Sequence, residues 1–145
     1  MGLAPQLRST VVAAATVAGA AALAGPAGAA LPGKYEKTLA GQGSLTGSWV
    51  ISFARDRTYA TILRGGVVVQ GAWTPTTVKV GKGARARRVA AVELGPEEGR
   101  LACPGKGLYR WKRQGASMTF TKVRDACAAR RRVLAETGPW SVVGG

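Results

Sequence analysis

The side chains that could carry acid–base or nucleophilic chemistry are few in this sequence. The 145-residue chain has no histidine and only seven acidic residues, which excludes Ser-His-Asp and Cys-His catalysis. Glu97 and Glu98 are the only adjacent acids, and they lie in a predicted surface loop. A glycosidase instead holds two carboxylates across one bond on a rigid frame. No phosphate-binding loop or dinucleotide fingerprint is present, so we predict a protein that is not an enzyme, with no catalytic residues and no cofactor.

Cys103 and Cys127 are the only cysteines. With no Cys-x-x-Cys spacing and no histidine, a metal site has little support. In an oxidising compartment, a lone pair of cysteines is most simply a disulfide. It would close a loop of about 25 residues, which is worth about 3 kcal/mol on chain-entropy grounds. Two free thiols, or half of a metal site, are the alternatives.

The N-terminal residues 1–29 have the pattern of a secretory signal peptide. Arg8 provides a positive start, residues 11–24 are apolar and rich in alanine, and small residues occupy positions 27–29. This order predicts cleavage after residue 29. An uncleaved membrane anchor is the alternative, but alanine and glycine insert weakly into bilayers. We therefore expect a secreted protein with no transmembrane segment after cleavage.

Positive charge dominates the composition. The net charge is +14, and 15 of the 21 Lys and Arg residues lie between Lys79 and Arg132. Such a surface attracts anionic surfaces, acidic polysaccharides or nucleic acid. The run Arg130, Arg131, Arg132 does not form one patch, because consecutive helical residues point about 100° apart. We predict no specific nucleic-acid partner, and the alternative is that the charge serves solubility alone.

Alternating apolar residues predict strands along most of the chain after residue 30. Segment 47–53 carries Trp, Ile and Phe at every second position, so one of its faces is large and apolar. Gly65 and Gly66 separate two β-prone runs and predict a tight hairpin, because both can take positive φ. Pro75 is expected to end the second run. The predicted strands span 35–39, 47–53, 59–64, 67–73, 78–80, 87–94, 108–113, 118–123 and 140–143.

These short strands follow one another with short links, which favours an up-and-down meander. Closing the meander into a barrel removes its exposed edges. Asp125 can cap a short helix at 126–134. The sequence therefore predicts an all-β fold: a small up-and-down antiparallel β-barrel of about eight strands with one short C-terminal helix. We assign this barrel domain to 47–145, after a lead-in segment at 30–46.

Four short motifs carry a resemblance to a known superfamily. They are G-x-W at 47–49, G-x-Y-x-W at 107–111, M-T-F at 118–120 and D-x-C-x-x-R at 125–130. The first resembles the opening motif of lipocalins and other calycins, and the other three together are similar to small exported lipocalin-like bacterial proteins of unassigned function. The resemblance covers residues from about 47 to about 140 and concerns the fold more than the function.

In lipocalins, the tryptophan of the opening motif lies across the closed bottom of the barrel, and an arginine from near the last strand packs on it. The resemblance implies that Trp49 is this tryptophan and that Arg130 or Arg132 is the arginine. A guanidinium stacks well on an indole face.

Aromatic residues are spread along the predicted strands, and two hypotheses for their role stay open. If the barrel is open, Tyr59, Trp73, Tyr109 and Trp111 are the candidates to contact a small hydrophobic or amphipathic ligand. If side chains fill the barrel, the same residues form the core. The chain is then a secreted interaction protein, such as an inhibitor or a binder of an anionic surface or polysaccharide.

Overall fold

Eight antiparallel strands close into one barrel, in which each strand pairs with its neighbours in the sequence and β1 pairs with β8. A computed structural model describes residues 31–144, and the signal peptide predicted at 1–29 lies outside them. The predicted all-β, up-and-down barrel is confirmed. The strands are β1 (Gly33–Leu39), β2 (Gly47–Phe53), β3 (Thr58–Leu63), β4 (Gly66–Val80), β5 (Arg87–Glu98), β6 (Gly107–Gln114), β7 (Ser117–Arg124) and β8 (Trp140–Val143).

The barrel begins earlier than the assigned boundary at Gly47. Strand β1 lies inside the segment 30–46 that was assigned as a lead-in, and it pairs with both β2 and β8. Tyr35 and Leu39 of β1 point into the core and are buried. The first strand therefore closes the barrel and belongs to the same domain.

Strand β4 is longer than predicted, because Pro75 does not end it. Two predicted strands, 67–73 and 78–80, form one strand of 15 residues. Pro75 pairs with Val92 of β5, whereas the pairing of β4 with β3 ends at Ala72. Pro75 thus has an unpaired strand edge on one side, where its missing N–H breaks no ladder hydrogen bond.

Two other boundaries differ from the predictions. The tight turn between β3 and β4 is centred one residue earlier, on Arg64 (φ 51°) and Gly65 (φ 80°). Strand β5 continues to Glu98, so the predicted loop at 95–104 begins only after it. Glu97 is consequently a strand residue, and its side chain is 3 % exposed.

A short helix connects β7 to β8, as predicted. Helix α1 (Ala128–Arg131) continues into a π-helical turn at Arg132–Glu136. The start lies two residues later than predicted, and Cys127 rather than Asp125 is the N-cap residue. The Asp125 carboxylate accepts a hydrogen bond from the backbone N–H of Cys127 (2.9 Å). Val133 and Leu134 are buried, so the helical segment packs against the barrel core.

The strand connections gather at two ends of the barrel. The helical segment lies at the end that also carries the connections 40–46, 64–65 and 99–106, and we call it the helix end. The predicted disulfide is confirmed there: Cys103 is joined to Cys127, with their Cα atoms 6.0 Å apart. Within residues 31–144, no helix is long and apolar enough to cross a membrane.

The opposite end carries the connections β2–β3, β4–β5 and β6–β7. Residues 75–90, the outer part of the β4–β5 hairpin, pair only with each other, since β4 leaves β3 at Ala72 and β5 leaves β6 at Ala91. They form a two-stranded ribbon that projects from the barrel wall. We call these residues the ribbon and this end the ribbon end.

Candidate ligand-binding site

Aromatic rings fill the middle of the barrel. Phe53 lies among four other rings, with centroid distances of 6.1 Å to Tyr35, 5.8 Å to Tyr59, 5.9 Å to Trp73 and 6.2 Å to Phe120. All five side chains are buried. Because such pairs add stability beyond their buried area, this cluster is a packed core that blocks passage along the barrel axis.

A small cavity lies inside the barrel, on the helix-end side. Its volume is about 40 Å³, whereas ligand pockets typically measure about 300–1,000 Å³. Its lining is mostly apolar and includes Trp49, Ile51 and Leu134, with Glu97 and Arg130 at its polar edge. The cavity has room for a few waters or a very small molecule.

A buried ion pair lies beside this cavity. Arg130 donates from Nε to Asp125 Oδ2 (2.6 Å) and from Nη2 to Asp125 Oδ1 (2.8 Å). The Asp125 side chain is 1 % exposed and that of Arg130 is 5 % exposed. The Tyr109 hydroxyl also donates to Asp125 Oδ2. This bidentate geometry is the strongest form of an arginine–carboxylate contact.

Glu97 extends the ion pair into a network. Its Oε1 lies 3.0 Å from Arg130 Nη1 and accepts a hydrogen bond from the Tyr59 hydroxyl. Its Oε2 accepts a hydrogen bond from the backbone N–H of Cys103 (2.9 Å). Since Asp125 holds the N–H of Cys127, each half of the disulfide is hydrogen-bonded to one of the two carboxylates.

The network shifts the pKa values of Asp125, Tyr59 and Tyr109. Burial pushes the pKa of Asp125 up, but hydrogen bonds from Arg130 and Tyr109 outweigh burial and keep that pKa below its ordinary value. Burial raises the pKa of Tyr59 and of Tyr109, and the adjacent carboxylates raise both further. At neutral pH the tyrosines are hydrogen-bond donors and the carboxylate of Asp125 is an acceptor.

The carboxylate oxygens of this network are all in contact with donors, although the contact of Arg130 Nη1 with Glu97 Oε1 lacks the geometry of a hydrogen bond. Each carboxylate oxygen of Asp125 and Glu97 already contacts a donor, so neither acid has an unoccupied oxygen to present to a substrate. General acid–base catalysis needs a group within hydrogen-bond reach of the substrate. The network is therefore an internal brace that joins β5, β6, the disulfide and the helical segment.

Three of the four predicted ligand-contacting residues belong to the packed interior. Tyr59 and Tyr109 bond to the carboxylates of the network, and Trp73 donates from Nε1 to the backbone oxygen of Ala54 (3.0 Å). All three are buried. Trp111 differs, because it is only half-buried and packs at the edge of the core. The four residues thus do not line one open cavity.

Trp49 and Arg130 lie on the same cavity at the helix end. Trp49 is 2 % exposed and donates from Nε1 to the backbone oxygen of Leu45 (2.7 Å). The Arg130 guanidinium is committed to carboxylates. In the described part of the chain, the cations placed over aromatic rings are Lys37, over Trp140, and Arg57, over Trp73.

A shallow groove of about 610 Å³ crosses the outside of strands β2 to β5. Small or polar residues such as Ser52, Ala60 and Gln70 line it, and Tyr59 is its one aromatic member. It is an open surface with a single aromatic residue, whereas most small-molecule sites enclose the ligand with several apolar and aromatic side chains.

The ribbon end concentrates positive charge. The segments 54–58, 75–90 and 111–118 contain a single acid, Asp56. None of the ion pairs formed within residues 31–144 involves a basic residue of these segments. Their basic residues are Arg55, Arg57, Lys79, Lys82, Arg85, Arg87, Arg88, Lys112 and Arg113.

Sequence reasoning missed two features of this site. Glu97 was assigned to a loop, although β5 continues through it and turns its side chain inward. Lys79, Arg88 and Arg113 were counted only as part of the general positive charge. Counting in steps of two from Trp73 gives Lys79 on the inner face of β4, and this signal was available in the sequence.

No known protein family, curated protein or solved structure matches the chain. The closed eight-stranded antiparallel barrel is compatible with a lipocalin-like architecture, and the likeness shown extends no further than this architecture. Within residues 31–144, no group of three His, Cys, Asp or Glu side chains could hold a metal ion.

Proposed function

We propose that this chain is an exported, non-catalytic interaction protein. In this proposal the barrel is a filled scaffold, and the ribbon end binds an anionic partner. The observation that carries the proposal is the contrast between the filled interior of the barrel and the charged surface of the ribbon end. Its interior holds a cavity of only about 40 Å³, whereas its ribbon end presents unpaired cations around the single acid Asp56.

The distribution of charge favours the ribbon end over the helix end as the binding site for an anionic partner. At the helix end, Arg130 and Arg131 have acidic partners in Asp125, Glu97 and Glu136. At the ribbon end, the basic side chains have no such partners and are mostly exposed. Clustered cations of one sign raise the local concentration of anions and speed their association.

Export is supported by two independent features. Residues 1–29 have the charge and apolar order of a signal peptide. The Cys103–Cys127 disulfide is of the kind that persists in oxidising compartments. Both features favour an extracellular partner, where acidic polysaccharides and anionic cell surfaces are abundant.

A small hydrophobic ligand inside the barrel is the second candidate function. One observation favours it, namely the mostly apolar lining of the cavity next to Trp49. The aromatic cluster around Phe53 separates that cavity from the ribbon end. A ligand of fatty-acid size would need several core side chains to move.

The test is the affinity of the mature protein for an acidic polysaccharide, measured by calorimetry at about 50 mM and about 500 mM salt. We expect saturable binding at low salt and a steep loss at high salt, because exposed charges are screened. A neutral polysaccharide of the same length is the control and should not bind. Absence of binding at low salt, or binding that salt does not change, would contradict the proposal.

A further inference from the structure

The inner face of the ribbon continues the inner face of the barrel. Trp73 pairs with Leu94, and both are buried in the core. Side chains alternate along a strand, so every second residue outward from this pair shares the inner face. The next pairs on that face are Pro75 with Val92, Thr77 with Ala90, and Lys79 with Arg88.

Strand β6 adds a third cation to the same row. Val92 pairs with Tyr109, so the inner face of β6 continues from Tyr109 through Trp111 to Arg113. Counted outward from Ala91 and Arg110, the last pair of β5 with β6, Trp111 stands level with Ala90 and Arg113 stands level with Arg88, across the point where the two strands separate. Arg113 is on the inward-facing side of β6: burial raises the pKa of the buried Tyr35, and the positive charge of Arg113 acts on the same group in the opposite direction.

The three cations have no acidic partners within residues 31–144. Lys79 and Arg88 are directly opposite each other on neighbouring strands, and such like-charge pairs destabilise a sheet. Arg88 donates from Nη1 to Thr77 Oγ1 (3.2 Å), which leaves its positive charge unneutralised. An anion bound between the three side chains would relieve this repulsion.

Exposure falls toward the core along β6, whereas on β4 both Lys79 and Thr77 of the next row are exposed. Lys79, Arg88 and Arg113 are exposed, Trp111 in the next row is half-buried, and Tyr109 in the row below is buried. The inner wall of the ribbon end, which we define by Lys79, Arg88, Arg113 and Trp111, therefore has exposed cations at its outer edge and a half-buried tryptophan closer to the core.

We propose that this wall binds a linear acidic polysaccharide, with its acid groups at Lys79, Arg88 and Arg113 and a sugar ring packed on Trp111. The proposal deepens the proposed function and rests on it. It names the class of partner and the four residues that recognise it. Carboxylate or sulfate groups suit the cations, and the C–H face of a sugar ring suits an indole.

Two features favour a polysaccharide chain over a membrane surface. The three cations lie on the strand faces that continue the inner face of the barrel, so they face the mouth of the barrel, which a narrow chain can approach more closely than a flat bilayer. Paired strands are about 4.8 Å apart, so the span from Lys79 across Arg88 to Arg113, which lies on a strand already separated from the ribbon, is at least about 10 Å. A polymer with repeated charges can contact the whole row, whereas one small headgroup cannot.

The main experiment compares two triple variants of equal charge. The inner variant carries Lys79→Gln, Arg88→Gln and Arg113→Gln, and the control carries Lys82→Gln, Arg85→Gln and Arg87→Gln in the same hairpin region. For a carboxylated polysaccharide, we expect the inner variant to bind about 100-fold more weakly, on the order of 5-fold for each cation. We expect the control to lose less than about 5-fold.

The outcomes separate this inference from the proposed function. Equal losses in both triple variants would overturn the inner-wall site and leave polyanion binding intact. Absence of binding by the unaltered protein would overturn both. Tighter binding to anionic phospholipid vesicles or to single-stranded DNA than to the polysaccharide would overturn the assignment of the partner class.

A second measurement tests the role of Trp111. Inorganic polyphosphate offers repeated charge without a sugar ring, so we expect Trp111→Ala to weaken polysaccharide binding about 10-fold and to leave polyphosphate binding unchanged. Equal effects on the two polymers would contradict ring packing. In the unaltered protein, the indole N–H resonance of Trp111 should shift during titration with an acidic oligosaccharide, and an unmoved signal would also contradict it.

Discussion

Replacing Asp125 with asparagine is expected to lower the free energy of unfolding by about 3–5 kcal/mol, as breaking one side of a buried ion pair does. Asparagine keeps the size of the side chain but removes the charge that faces Arg130 through two hydrogen bonds. The Tyr109 hydroxyl and the Cys127 N–H each donate to a different oxygen of Asp125. Because an asparagine amide has only one oxygen, one of these two donors would lose its acceptor. Urea unfolding of both proteins measures the difference.

Glu136→Gln is the matched control for this substitution. Glu136 also pairs with an arginine, since its Oε1 lies 3.7 Å from Arg131 Nε, but its side chain is 54 % exposed. Exposed pairs of this kind are worth about 0–1 kcal/mol. If Asp125→Asn and Glu136→Gln cost the same, the buried network would not be the brace that we describe.

The same carboxylate gives the protein a defined response to acid. The folded pKa of Asp125 lies below its ordinary value, so its contribution is fully present above the unfolded pKa of about 3.9. The contribution is lost as pH falls below that value, because the unfolded chain binds the proton more readily. The difference in stability between the unaltered protein and Asp125→Asn should therefore shrink below about pH 4.

Replacing Trp49 with alanine is expected to cost about 3–5 kcal/mol, the usual range for truncating a large buried aromatic residue. Trp49 is 2 % exposed and lines the cavity at the helix end, so its removal would enlarge a space that already lacks packing atoms. The backbone oxygen of Leu45 would also lose the indole N–H as a donor.

Val123→Ala is the control for Trp49→Ala. Val123 is 41 % exposed, and exposed substitutions of this kind usually change stability by less than about 0.5 kcal/mol. Both variants can be compared by thermal and urea unfolding. A Trp49→Ala protein as stable as the Val123→Ala protein would show that the helix end does not depend on this side chain.

The architecture of the barrel could be predicted from local pattern because its strands follow one another with short links. Segment 47–53 has the alternation of a strand with one buried face, and its observed bounds match the prediction. Pro75 misled the prediction because sequence alone does not show that one edge of β4 is unpaired beyond Ala72. Whether a proline ends a strand depends on whether a neighbouring strand pairs with the edge that lacks the N–H. That pairing is known only from the assembled sheet.

The site was harder to predict because the direction of a side chain and the free space inside the barrel are separate properties. Alternation shows that Tyr59 and Trp73 point inward, but it does not show whether the interior has room for a ligand. Glu97 was missed for a related reason. The pairing of β4 with β5 shifts register between Gly71 and Trp73, and only the assembled sheet shows Glu97 directed toward Arg130.

The D-x-C-x-x-R motif at 125–130 has a physical explanation in the structure. Its first and last residues, Asp125 and Arg130, form the bidentate ion pair, and Cys127 between them enters the disulfide. The spacing places the aspartate just before the helix and the arginine within its first turn. A motif first noted for its resemblance to exported barrels thus corresponds to the brace of the helix end.

We propose that side chains fill the middle of the barrel and that an anionic partner binds at the ribbon end. Titration of the mature protein with a fluorescent fatty-acid analogue at about 500 mM salt tests this claim most directly, because that salt concentration screens exposed charges and leaves only burial to drive binding. The account predicts no saturable binding under these conditions. Saturable binding that is equally tight at low and high salt would show that the barrel interior opens to a ligand, and it would contradict the account.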